Sequence, residues 1–147
     1  MLPPAVRQNR TIQAAVLIEK LKIFDDEIEA RNKVADRYTR GLGNDVVVPR
    51  VASGNTSVWA QYTIRLPAGV DRDGFAAALK AQRVPTAIYY AKPLHQQTAF
   101  REFPVADGGL PISEMLSNDV ISLPMHAYID EPTQMRVIEA VRSALSA

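Results

Sequence analysis

One apolar stripe constrains this chain more than any other feature. Ala14, Leu17, Leu21, Phe24, Ile28, Arg31, Ala35, Tyr38 and Leu42 recur at alternating steps of three and four, the spacing of one helix face. Ile12, Val16, Ile23 and Val34 widen that face, and Gly41 and Gly43 offer stop signals. The pattern predicts a single helix from Thr11 to about Leu42. Such a helix, of roughly 30 residues, runs about 45 Å. A domain of this size cannot bury that length, so one end is expected to pack on a further domain or a second subunit. Residues 1–10, with Pro3 and Pro4 and no periodicity, read as an arm or a truncated junction. The folded domain is then expected over residues 11–147.

Beyond the helix the period changes. Val46-Val47-Val48 before Pro49 reads as a short strand, and Ser53-Gly54-Asn55-Thr56 as a turn. From Ser57 to Leu66 the residues alternate, with Val58, Ala60, Tyr62, Ile64 and Leu66 on one side and Trp59, Gln61, Thr63 and Arg65 on the other. Asp71 or Asp73 is placed to cap a helix to about Gln82, with Phe75, Ala78 and Leu79 inward. Val84 to Tyr90 is β-branched and aromatic, which favours a strand. Residues 91–112 are irregular, with a helical turn expected near Gln96–Arg101. Pro111 suits the first turn of a helix to Asn118, Val120 to Pro124 is extended, and Asp130 caps a last helix facing inward with Val137, Ile138, Val141 and Leu145. The fold class is α+β: a long N-terminal helix leading into a small, mainly antiparallel sheet covered by helices.

Composition narrows the chemistry. The 147 residues carry 17 basic and 16 acidic side chains, so no basic field points to nucleic acid or an anionic membrane surface. There is no cysteine and there are two histidines, a poor basis for a metal site. No apolar run approaches the roughly 20 residues of a bilayer span. Met1-Leu2-Pro3-Pro4 lacks the apolar core of a signal peptide. A cytoplasmic location is the expectation.

The segment richest in candidate chemistry is Pro85-Thr86-Ala87-Ile88-Tyr89-Tyr90-Ala91-Lys92-Pro93-Leu94-His95. An apolar run ends in two tyrosines, turns at a proline and presents a histidine. Phenol and imidazole there suit a pocket for a hydroxylated or anionic ligand. The same groups equally suit a turn whose polar tips are satisfied locally. Elsewhere, Trp59, Gln61 and Arg65 either line a cleft or pair across strands, and His126 reads as a turn residue. Asn9-Arg10 either grips an anion near the helix start or lies on the surface. The cluster Asp25-Asp26-Glu27-Glu29 reads as a solvated face. No nucleophile–base pairing and no glycine-rich phosphate loop is present, so no catalytic residue is assigned.

Several of these segments, in order, carry a resemblance. Thr11-Ile12-Gln13-Ala14-Ala15-Val16-Leu17 with Lys20-Leu21, the set Arg31, Ala35 and Tyr38, Trp59-Ala60-Gln61-Tyr62, the Tyr89–His95 block and Ser122-Leu123-Pro124-Met125 together resemble the C-terminal part of the DegT/StrS-type sugar aminotransferases. These are pyridoxal-phosphate enzymes that aminate keto sugars carried on nucleotides. Ala60 stands where much of that family has histidine, and in this respect the chain is similar to the branch acting on UDP-linked 3-keto-hexuronic acids. The resemblance implies the small domain of a fold-type I enzyme, a homodimer, a nucleotide-sugar substrate contacted by Tyr89, Tyr90 and His95, and glutamate as the expected donor. It also implies cofactor contacts from Asn9 and Arg10, although here they are adjacent where the family has Asn-x-Arg. Ala91 and Ala127 replace usual prolines. Lys20, Lys22, Lys33, Lys80 and Lys92 match no Schiff-base position. The expectation is a truncated chain that is inactive alone and binds no pyridoxal phosphate as an aldimine. The alternative is a non-catalytic, self-associating module.

Overall fold

The computed structural model describes residues 4–146, with side chains from Thr11 onward. The apolar stripe forms two helices rather than one: α1 (Pro4–Leu21) and α2 (Phe24–Leu42). The break falls at Lys22 and Ile23. Their amides turn back on Glu19 and Lys20 through i to i−3 bonds of 3.2 and 3.3 Å, and normal helix resumes from Ile23. Charge explains the position. Lys20 and Lys22 end one helix, and Asp25, Asp26 and Glu27 open the next. Cations at a C-terminus and anions at an N-terminus each favour an end over a continuation. The acidic cluster is therefore a helix start as well as a solvated face. The helical backbone also begins at Pro4, ahead of Thr11, where an arm was expected.

The sheet has two strands, β1 (Tyr62–Arg65) and β2 (Val120–Leu123), paired antiparallel with Tyr62 opposite Leu123 and Arg65 opposite Val120. Single bridges extend it on both sides: Val47 with Arg65, and Ala87 with Ser122. The expected strands at 46–48 and 84–90 are thus reduced to one paired residue each. Pro49 and Pro85 limit both, since proline lacks the amide a ladder needs. α3 (Arg72–Ala81) is capped by Asp71, whose carboxylate accepts from the amides of Asp73 and Gly74 at 3.1 Å. α4 (Pro111–Asp119) starts on Pro111, and α5 (Glu131–Leu145) is capped by Asp130. α5 packs on α2 and α3.

Tyr38, Leu42, Tyr62, Ile64, Leu79, Ile121, Ile138 and Val141 form the centre of the core. Tyr38 and Tyr62 stack at 5.0 Å. Their hydroxyls are satisfied: Tyr38 Oη donates to the Pro124 carbonyl at 2.9 Å, and Tyr62 Oη shares a 2.8 Å bond with Thr39. Burial pushes the Tyr38 phenol far above its ordinary value, so it stays a protonated donor. Gln134, fully buried, donates to the Val34 carbonyl at 2.6 Å and accepts from Arg37 at 2.8 Å. In contrast, Leu17 and Leu21 on α1 are 60% and 66% exposed.

One strand reading inverts. Trp59, expected to face away from Tyr62, packs its ring on Tyr62 at 5.6 Å, and Ala60 is exposed. Trp59 has φ 48, a left-handed backbone that slips the alternation by one residue.

Candidate functional site

After the Ala87 bridge the chain leaves the sheet, and Pro93, in extended geometry, launches a single 3-10 turn, Leu94–Gln96. That turn carries His95 over the start of α4. Pro111 sets the first helical turn there and puts Glu114 opposite the imidazole. His95 Nε2 lies 2.9 Å from Glu114 Oε1. A carboxylate only accepts, so Nε2 carries the proton in this contact and Nδ1 is the ring's acceptor. The His95 side chain is 15% exposed.

His95 and Tyr90 line one cavity of about 450 Å³, walled by Leu94, Phe100, Phe103 and Leu110. Phe100 and Phe103 sit with ring centroids 6.3 Å apart. The cavity is an apolar chamber with a phenol and an imidazole at its rim, suited to orienting a partly apolar ligand through few polar contacts. Tyr90 is 75% exposed, so its hydroxyl is accessible to a ligand.

Tyr89 goes elsewhere. Both tyrosines lie in the turn after the Ala87 bridge, and Tyr89 lines a second cleft of about 190 Å³ with Gln61, Thr86 and Met125. A third hollow, beside Thr63 and Ile88, is bordered by both tyrosines. The structure thus brings Tyr90 and His95 together and sets Tyr89 in an adjoining cleft. The side chains of Asn9 and Arg10 lie outside the described residues.

His126 does what a turn residue does: its Nδ1 accepts from the Tyr128 amide at 3.2 Å. Among the described residues no lysine lines the Tyr90–His95 cavity. Lys20, Lys22 and Lys33 pair with Glu27, Glu19 and Glu29, and Lys92 is exposed. The Tyr90–His95 cavity therefore offers no amine for a covalent pyridoxal-phosphate link, and Lys80 lines a separate hollow beside Pro85 and Thr86. No group of three or more acidic or histidine side chains among the described residues is arranged to hold a metal ion. No described helix is long and apolar enough to cross a membrane.

Sequence reasoning passed over Glu114, Phe100 and Phe103. Glu114 was discoverable in principle, because a carboxylate in the first turn of a proline-started helix is a favoured and fixed anion. The phenylalanines lie in an aperiodic segment, where no pattern reveals a shared direction.

Comparison with known proteins gives this geometry its setting. Residues 9–142 match the model of the DegT/DnrJ/EryC1/StrS aminotransferase family. The chain is 43% identical over 123 residues to UDP-2-acetamido-2-deoxy-3-oxo-D-glucuronate aminotransferase of Pseudomonas aeruginosa, covering 82% of this chain and 32% of that protein. A DegT/DnrJ/EryC1/StrS aminotransferase from Brucella abortus superposes with TM-score 0.85 at 50% identity, covering 90% of this chain and 35% of that one. S. venezuelae DesV superposes with TM-score 0.83 at 31% identity, covering 92% and 36%. The chain spans about a third of the length of these relatives. A match over nearly its whole length leaves one assignment: the chain belongs to the DegT/DnrJ/EryC1/StrS aminotransferase family.

Proposed function

We propose that this chain is the C-terminal, substrate-contacting part of a nucleotide-sugar aminotransferase. The complete enzyme uses pyridoxal phosphate, works in the cytoplasm as a homodimer and moves an amino group from glutamate to a sugar ketone. The preferred substrate is a UDP-linked 3-keto-hexuronic acid. The observation that carries the reading is the joint placement of Tyr90 and His95 on one apolar chamber in a chain of this family. The similarity to the Pseudomonas aeruginosa enzyme supports the choice of sugar.

When bound, the cofactor supplies the electron sink for amino transfer. The residues of this chain bind and orient. Tyr90 Oη offers a donor and an acceptor at the cavity rim. Glu114 holds the imidazole of His95 in place beside the cavity. Phe100, Phe103 and Leu110 offer apolar surface along its wall. Tyr89 contacts the sugar from the adjoining cleft.

The test is amino transfer by the intact enzyme from glutamate to a UDP-linked 3-keto-hexuronate, followed by mass detection of the amino sugar. Turnover of this substrate, and not of its unoxidised alcohol, is the expected result. Absence of turnover with every keto sugar nucleotide offered would remove the reading. A second reading, a non-catalytic self-associating module, draws on the exposed apolar face of α1; an assembly that turns over no sugar would favour it.

A further inference from the structure

Trp59 is the chain's sole tryptophan and sits where strand alternation fails. At φ 48 a bulky side chain is strained, so its surroundings must hold it. They do so at every polar atom. The amide donates to Ser57 Oγ at 3.2 Å, the carbonyl accepts from Arg31 Nη1 at 3.0 Å, and the indole N–H donates to Asn32 Oδ1 at 2.9 Å. Asn32 in turn donates to the Ile28 carbonyl at 2.8 Å. The ring is stacked against Tyr62. Two adjacent residues of α2 therefore clamp a single left-handed residue at the mouth of β1.

The clamp fixes the backbone two residues before Gln61, which keeps the outward place that alternation with buried Tyr62 gives it, beside Thr63 and Ser122. Gln61 thereby lines the same cleft as Thr86 and Tyr89. Thr63 and Ser122 hydrogen-bond each other at 2.7 Å and are spoken for. The side-chain polar atoms of Gln61, Thr86 and Tyr89 bond no other described residue. Residues bearing an amide, a hydroxyl and a phenol, none of them bonded to another described side chain, line one small cleft. That set offers both donors and acceptors and carries no charge, which is the chemistry of contact with the hydroxyl or amide groups of a sugar ring.

We propose that Gln61 is a further substrate-contacting residue, presenting its amide to the sugar ring in the Tyr89 cleft, and that Trp59, clamped by Arg31 and Asn32, is the residue that positions it. The assignment rests on the nucleotide-sugar reading above. Gln61 touches the ligand; Trp59 acts through Gln61.

The two halves of an amino-transfer cycle separate the possibilities. The intact enzyme is assayed with glutamate alone for the donor half and with the keto sugar nucleotide for the acceptor half. Gln61→Ala should raise KM for the sugar roughly three- to tenfold, the worth of a neutral hydrogen bond, and leave the glutamate half-reaction unchanged. Trp59→Ala should raise the same KM by a similar factor, and Trp59→Phe, which keeps the ring on Tyr62, should recover most of it. The double variant Trp59→Ala/Gln61→Ala should be no worse than Gln61→Ala alone, because a positioning residue has nothing left to position. An unchanged sugar KM in Gln61→Ala would overturn the contact. Equal losses in both half-reactions, or full additivity in the double variant, would reduce Trp59 to a packing residue. A wild-type enzyme that performs the glutamate half-reaction but accepts no sugar nucleotide would instead overturn the underlying reading, and this assignment with it.

Discussion

α1 and α2 carry the two halves of one apolar stripe, and their fates differ. On α2, Ala35, Tyr38 and Leu42 are buried under α5 and the sheet. On α1, Leu17 and Leu21 stand in the same stripe and face solvent, with Ile12, Val16 and Ile18 beside them. Periodicity reports which side of a helix wants cover; it does not report what supplies the cover. The covered half holds this domain together. The bare half has no cover among the described residues, and exposed apolar area of this extent is unusual for a lone domain.

The sharpest way to break the comparison is truncation on both helices. Leu42→Ala removes a side chain that is 0% exposed and should cost about 2–5 kcal/mol in urea unfolding. Leu17→Ala should stay within about 0.5 kcal/mol in the isolated chain; an equal cost would mean that α1 is already covered. Next in size is Gly41→Ala. A Cβ there would stand 2.6 Å from Ile138 Cδ1, and overpacking should cost about 1–3 kcal/mol. Ile138→Val alongside it should return part of that loss, and failure to do so would locate the strain elsewhere. For the bare face, sedimentation at micromolar concentration should show self-association, abolished by Leu17→Glu with Leu21→Glu; a monomer before substitution would count against an interaction face.

The smallest effect concerns pH. The hydroxyl and amide of Thr133 hold the Asp130 carboxyl below its ordinary value at the start of α5. A depressed acid contributes stability that is complete above the ordinary aspartate value and is lost as pH falls through the lowered one. Melting temperatures of wild type and Asp130→Asn should therefore differ at neutral pH, begin to approach each other as pH falls below about 4, and meet only below the lowered value. A gap that persists into acid would show that the cap does not act through its charge.

Much of this architecture was legible locally. Asp71, Asp130 and Pro111 start helices because their chemistry satisfies or removes amides at those positions, whatever lies around them. Val137, Ile138 and Val141 point inward because α5 is amphipathic. What escaped depends on distant partners. The helix break needed the change of charge sign between Lys22 and Asp25 to be weighed against an uninterrupted apolar pattern. The inversion at Trp59 is held by Arg31 and Asn32, 28 and 27 residues away, and no local propensity announces it. At the candidate site, Tyr90 and His95 were recognisable from the turn at Pro93. Their separation from Tyr89 arises in the turn after Ala87, which no periodic pattern describes, and Glu114 came from the far side of an aperiodic segment.

The most direct measurement is the sugar-dependent kcat/KM of intact enzyme carrying Tyr90→Phe or His95→Ala, with melting temperature read on the same samples. If these residues bind the substrate, each change should lower kcat/KM by on the order of ten- to a hundredfold while the melting temperature and the glutamate half-reaction stay put. Activity per folded enzyme within about twofold of wild type for both variants would contradict the account and leave Tyr90 and His95 as turn residues.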